Sequence, residues 1–198
     1  MSARSAVAAA TLLTASLLAT PAEAGTWKLD PAHSHVGFSV THMMISEVEG
    51  EFAGIEGSLA YEVGQLDELQ LEVTVDMATV DTRNADRDAH LAKPDFLDVA
   101  KHPTMTFVAT KVVPGSKGAF DVVGDLTIKG ITKEVTLRAK GLQASVVDPW
   151  GQTRVGAKAT AVIDRQDFGV RFNQALDAGG VLVGDEVTLE LSAEFIAQ

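Results

Sequence analysis

The stretch WKLDPAHSHVGFSVTHMMISEVEGEF, residues 27–52, decides the fold. It reads as strand with fixed polar punctuation, and it opens a run of about eight alternating segments. Leu69, Leu71, Val73 and Val75 share one face, against Glu68, Gln70, Glu72, Thr74 and Asp76 on the other. Val187, Leu189, Leu191, Ala193 and Phe195 alternate in the same way with Glu186, Thr188, Glu190, Ser192 and Glu194. Val135, Leu137 and Ala139 form a third such face, and Phe120, Val122, Leu126 and Ile128 a fourth. The charged faces belong in water, so the apolar faces point inward. A membrane barrel would show the reverse, an apolar outside and a polar lumen. The expectation is a single all-β domain, an antiparallel eight-stranded barrel with a short helical cap. An interior of that strand number holds either its own side chains or one slender ligand.

Further strands fit Val36 to His42, Val48 to Val63, Met105 to Val113 and Arg154 to Ile163. In the second, Phe52 and the trio Leu59, Tyr61 and Val63 fall on opposite parities, so Gly54 or Gly57 marks a bulge. Lys129-Gly130 reads as a tight hairpin and Asp148-Pro149-Trp150-Gly151 as a turn. Residues 81–103 break the strand rhythm. Asp81, Thr82 or Asn84 caps a helix from Ala85 to Leu91, which Pro94 stops, and the segment is expected over one barrel end.

Residues 1–24 are expected to be a secretory signal peptide. Arg4 precedes an apolar run from Ala6 to Ala19, and Ala22-Glu23-Ala24 fits a cleavage site after Ala24. The run is too short for a spanning helix, which needs about 20 apolar residues, and no stable membrane insertion is expected. The remaining domain, 25–198, has no cysteine and must rest on its core alone. The formal charge of −11 disfavours nucleic acid as a partner. Monomer and homodimer both stay open.

The inward inventory bears on function. Three of five inward residues on the strand from Val155 are Ala157, Ala159 and Ala161, and Ala109, Gly124, Ala139 and Ala193 add small positions. A void forfeits dispersion contacts, so such an interior would be completed by a long apolar ligand. The alternative is tight sheet closure, with alanine merely letting strands approach. Periodicity alone leaves both open.

Several motifs then carry a resemblance along the whole of 25–198. These are LDPAHSHVGFSVTH at 29–42, VEGEF at 48–52, VDTRNADRDAHL at 80–91 and PDFLDVAKHPTMTF at 94–107. GDLTIKGITKEVTL at 124–137, DPWG at 148–151 and DRQDFG at 164–169 complete the set. The chain resembles the YceI-like family of exported polyisoprenoid-binding proteins. That resemblance implies a lipocalin-like barrel whose lumen holds a long isoprenoid chain, and a periplasmic location. The ligand would be a long-chain isoprenoid, an isoprenoid quinone or a similar amphiphilic lipid, with no cofactor. Two positions depart from the family pattern. Glu134 stands where proline is common, and Ala157 where an aromatic is common, which enlarges the lumen if residue 157 faces inward.

The lining residues expected are Phe38, Val40, Phe52, Leu71, Val73, Phe107, Leu126, Leu137, Ala157, Ala159 and Leu189. At the mouth, His42, Met43, Arg83, Asn84, Arg87 and His90 are candidates for a ligand head group, since arginine forks match phosphate oxygens. The competing role for Arg87 and Asp88, as for Asp164, Arg165 and Asp167, is internal fastening. Met43, Met44 and Ile45 suit a flexible apolar lip.

His33 and His35 could begin a metal site, but three or four ligands at suitable spacing are needed, and no metal is expected. No nucleophile elbow, phosphate loop or zincin pattern occurs, and no catalytic residue is assigned. Two rivals remain. One is a periplasmic enzyme acting on an amphiphile with His42 or His90 as general base. The other is a stress-related interaction protein with a packed barrel.

Overall fold

A computed structural model describes residues 25–198, and the expected signal peptide at 1–24 lies outside the described residues. Among the described residues, twelve strands and one α-helix follow each other, with three short 3-10 turns between them. They are β1 (Gly25–Leu29), β2 (His35–His42), β3 (Ser46–Phe52), β4 (Ile55–Glu62), β5 (Gln65–Asp76) and β6 (Val80–Asp81). Then come α1 (Ala85–Leu91), β7 (Thr104–Pro114), β8 (Ala119–Ile128), β9 (Ile131–Gly141), β10 (Val146–Val147), β11 (Thr153–Asp164) and β12 (Val183–Ala197).

Two early pairs of strands act as single broken walls. β1 and β2 are parted by a 3-10 turn at Pro31–His33, and β3 and β4 by Ala53 and Gly54. With β5, β7, β8, β9, β11 and β12 these walls make a closed eight-stranded antiparallel barrel. β12 closes it. One edge pairs with β11 from Glu186 to Ile196, and the other pairs first with β2 and then with β1. β6 and β10 are short additions to the edges of β3 and β11.

The breaks are stitched by side chains. Asp30 caps the 3-10 turn by accepting from the Ala32 amide at 3.0 Å, with Pro31 at the first position. The buried Ser34 hydroxyl then accepts from the Glu194 amide at 2.9 Å and donates to its carbonyl at 3.4 Å. Asp76 and Asp164 cap two further 3-10 turns in the same way. Lys129 and Gly130 form the expected hairpin, at φ 53° and 75°, the twist that antiparallel strands favour.

The end carrying the β2–β3 tip is called upper here, and the end carrying Gly25 and Gly64 lower. The lower end is sealed by a buried plug of Trp27, Tyr61, Leu66, Phe120 and Leu142. The Tyr61 hydroxyl donates to the Leu142 carbonyl at 3.3 Å, and burial pushes the phenol up to about 12. The upper end is covered by α1 and the segment that follows it, as expected, together with a turn at Arg165–Phe168.

One ion cluster ties the seam between β1, β11 and β12. Arg154 donates to Asp30 and Glu194 at 2.6 Å and to Asp148 at 2.7 Å, clamping the Asp148–Gly151 turn to the wall. A bond from the His33 ring, then the Arg154 guanidinium, hold the Asp30 carboxyl down at about 2. Its folded value lies below the ordinary 3.8, so the stabilisation is complete above that value and is lost as pH falls through about 2. An Asp30→Asn variant is therefore expected to show a flatter acid limb than the parent, measured as thermal midpoint against pH. Equal limbs would show that Asp30 contributes no linkage.

Candidate functional site

The inward faces of the eight walls do not fill the barrel. Leu71, Ala157, Ala159, Leu191 and Ala193 line an interior space, yet they stay only half-buried. That contrasts with Leu59 and Tyr61 nearer the sealed end, each 1% exposed.

The interior is divided into three apolar compartments stacked along the barrel. The lower has a volume of about 60 Å³ and lies between Leu69, Phe120, Leu137, Ala139, Ala157 and Ala159. The middle, about 50 Å³, is bounded by Val36, Val75, Phe107 and Leu126. The upper, about 110 Å³, lies between Phe38, Val40, Phe52, Ile128, Ile163 and the cap. Leu71, Val73, Leu137 and Leu191 belong to both the lower and the middle. Met105 and Leu189 belong to both the middle and the upper. The compartments thus run end to end. From Phe120 to Ile128 on β8, the walls cover about 20 Å of barrel axis, at about 3.4 Å per residue and a tilt of about 40°.

All eleven residues expected to line the lumen stand on the wall of one compartment or another. Residue 157 does face inward, and its alanine leaves room in the lower compartment that an aromatic ring would have taken. Gly124 is different from the small lining position expected. The Phe107 ring lies over it, so closely that a Cβ there would sit 2.5 Å from Phe107 Cζ. Gly50 seats Phe38 likewise, a Cβ meeting Phe38 Cζ at 2.5 Å and the Thr82 methyl at 2.7 Å. Glycine in the wall lets these rings lie back and keeps the bore open. Gly50→Ala is expected to push Phe38 into the upper compartment, at a cost of about 1–3 kcal/mol. Chain uptake should weaken, which titration with a fluorescent prenyl probe would read. Unchanged uptake would mean that Phe38 does not set the bore.

The mouth candidates are placed otherwise. Arg83 lies on the outer face and pairs with Glu49 at 3.2 Å, while Asn84 caps α1 by accepting from the Arg87 amide at 3.0 Å. Arg87 donates to the Thr82 hydroxyl and carbonyl, each at 2.7 Å, and Asp88 accepts from the Thr82 amide at 2.9 Å. These side chains fasten the cap, and none of them lines the lumen. Opposite charges and free backbone donors lie within their reach, so local pairing satisfies them first. His90 bonds Asp95 at 2.9 Å, holding that carboxyl low, and its ring stands edge-on to Phe96 and Phe172. His42 and Met43 occupy the upper rim, beyond Val40.

The cap supplies lining that sequence reading missed. Leu91, Phe96 and Leu97 roof the upper compartment, joined by Met77, Phe168 and Val170. Their spacing follows no strand or helix period, and the visible signal was only that a charged connection carried apolar residues at all. Arg165 also reaches this roof through its stem. Its guanidinium is spent on five acceptors: the carbonyls of Val170, Phe172, Val183 and Gly184, and the Asp185 carboxylate.

His33 and His35 do not share a strand face, because His33 lies in the 3-10 turn. Asp30, His33 and Glu194 do bring ligand atoms within 4.8 Å of one another. The cation between the two carboxylates is Arg154.

A closed antiparallel barrel with a narrow apolar lumen, plugged below and roofed above, is the architecture of a lipocalin-like protein. Comparison with known proteins narrows this further. The YceI-like domain model matches residues 27–195, and the chain belongs to that family. A UPF0312 protein of Staphylococcus epidermidis is 37% identical over 169 residues, covering 85% of this chain and 96% of its own. The crystal structure of Burkholderia cenocepacia BcnA has a TM-score of 0.73 at 23% identity, over 84% of this chain and 98% of that one. A structure described as a polyisoprenoid binding domain from Saccharophagus degradans has a TM-score of 0.63 at 14% identity, over 87% and 98%.

Proposed function

We propose that this chain is a periplasmic carrier that holds one long-chain polyisoprenoid, isoprenoid quinone or similar amphiphile in the lumen. The observation that carries the reading is the row of three apolar compartments, closed below by the Tyr61 plug. Each is narrow. A globular ligand would have to break the walls apart, whereas a thin flexible chain fits end to end. An engineered dry cavity of about 150 Å³ takes benzene, and even the upper compartment is smaller than that. Family membership supports the reading, as does the polyisoprenoid-binding description of the Saccharophagus degradans domain.

The mechanism is a difference in solvation. Each methylene moved from water into the lumen stabilises the complex by about 0.8 kcal/mol. Storage and transfer through an aqueous space need nothing more, so the protein binds rather than catalyses. His42 and Met43 stand at the rim beyond Val40, where a head group would emerge.

Native mass spectrometry of the protein purified from exporting cells tests this directly. One polyprenyl or quinone species per chain, released by organic solvent and identified by its fragments, is the expected result. Bare protein that also refuses added polyprenyl lipid would overturn the carrier reading in favour of a packed barrel.

A further inference from the structure

The β2–β3 tip is built against its own turn chemistry. The turn from His42 to Ile45 is closed by the Ile45 amide on the His42 carbonyl at 3.1 Å, with Met43 and Met44 at φ 53° and 63°. Two positive φ values make this a left-handed hairpin turn, where asparagine and glycine are favoured and long side chains are not. The chain instead places Met43, Met44 and Ile45 there, 39%, 61% and 83% exposed. Local preference has been overruled to hold three large apolar groups in water at one point of the surface.

We infer that this tip is a membrane-contacting finger through which the barrel exchanges its ligand with the surface of a lipid bilayer. The inference rests on the carrier reading above. Val40 and Val183 line the upper compartment, and the tip prolongs that same wall beyond its rim, tied to the neighbouring loop by the Met43 amide on the Leu182 carbonyl at 2.8 Å. An apolar chain leaving the roofed end therefore passes beside the finger.

Size argues for a bilayer rather than a protein partner. A stable protein interface buries about 800 Å² on each side, far more than three side chains on a hairpin supply. Shallow, reversible insertion of a few apolar groups into a headgroup layer needs no such area. Methionine suits it, being flexible and adaptable. Charge selects the kind of bilayer. Residues 42–46 carry no acidic or basic side chain other than His42, but Glu47, Glu49 and Glu51 follow directly on β3, and the chain bears a formal −11. A zwitterionic surface accepts such an end, and a strongly anionic one repels it.

The test uses protein loaded with a fluorescent prenyl probe and phosphatidylcholine vesicles carrying a quencher. Transfer by contact makes the rate rise with vesicle concentration, and replacing half of the lipid with phosphatidylglycerol should lower that slope. A Met44→Gly, Ile45→Thr double variant, which leaves Met43 at the rim untouched, is expected to raise the thermal midpoint, because glycine relieves the left-handed turn position. The same variant should lose at least fivefold in slope while keeping its equilibrium affinity for the probe. A merely structural tip would leave the slope unmoved. A rate independent of vesicle concentration in the parent, or an equal slope in the variant, would overturn the inference. If the probe fails to bind at all, the carrier reading fails instead. Flotation of unloaded parent and Ile45→Asp protein with the same vesicles then judges the finger on its own, and equal flotation would sink it.

Discussion

An Ala159→Val variant is expected to lose at least tenfold of its bound chain while remaining folded, with a thermal midpoint equal to the parent's or higher. Ala159 lies opposite Ala139 on β9 and Leu191 on β12, and it faces the lower compartment with Ala157. A valine there has space to occupy and apolar walls to cover, so burial of the two added methyl groups stabilises by about 1–2 kcal/mol. The same methyl groups remove the room that a chain would take in the lower compartment. The sign of the stability change is the useful part. In a packed barrel the substitution would overfill the core and destabilise by about 1–3 kcal/mol. Calorimetry with native mass spectrometry on the one variant therefore separates a carrier from a filled barrel. A lower midpoint with unchanged mass would reject the lumen.

The second large effect concerns Arg165, which is 5% exposed. Arg165→Met keeps much of the stem that packs under the roof but removes all five donors. The Val170, Phe172 and Gly184 carbonyls lose this donor outright, while the Val183 carbonyl keeps Asn173 and the Asp185 carboxylate keeps Gln166. The expected loss is about 3–5 kcal/mol, a large share of an ordinary domain's total stability. Arg165→Lys should recover little, because three donors on one nitrogen cannot reach acceptors spread around a planar fork. Urea midpoints measure the loss, and faster hydrogen exchange from Val170 to Asp185 would place it. A loss below about 1 kcal/mol would mean that the loop holds itself through Asn173 and its neighbours.

The two variants mark different kinds of legibility. The face to which Ala159 belongs was plain in the alternation of β11, because a period of two leaves no other way to bury Val155 and Ile163 together. Arg165 was read only as a fastener. That role holds, but its acceptors come from a stretch with no period at all, so the count of five could not be foreseen. The cap shows the same division. The helix from Ala85 to Leu91 followed from local capping chemistry and lies where it was expected, and of the three cap candidates it is Asn84 that caps it. The placing of Phe96 and Leu97 on the upper compartment did not follow, since it depends on where a nonperiodic loop folds back. Arg83 and Arg87 looked like head-group ligands because sequence brought them together. In space they find Glu49 and Thr82 first.

Alternation, turn residues and the supply of small inward side chains determined an all-β barrel, its inward faces and its helical cap, for these are local consequences of backbone period and side-chain volume. Whether that barrel is hollow was a tertiary question. It turns on closure of the ring by β12, on the tilt of eight walls, and on two phenylalanine rings lying back over Gly50 and Gly124. None of these is a property of any one segment. A space a few ångströms wide is the small difference between the size of a closed sheet and the volume of the side chains it encloses, and only the assembled structure sets both.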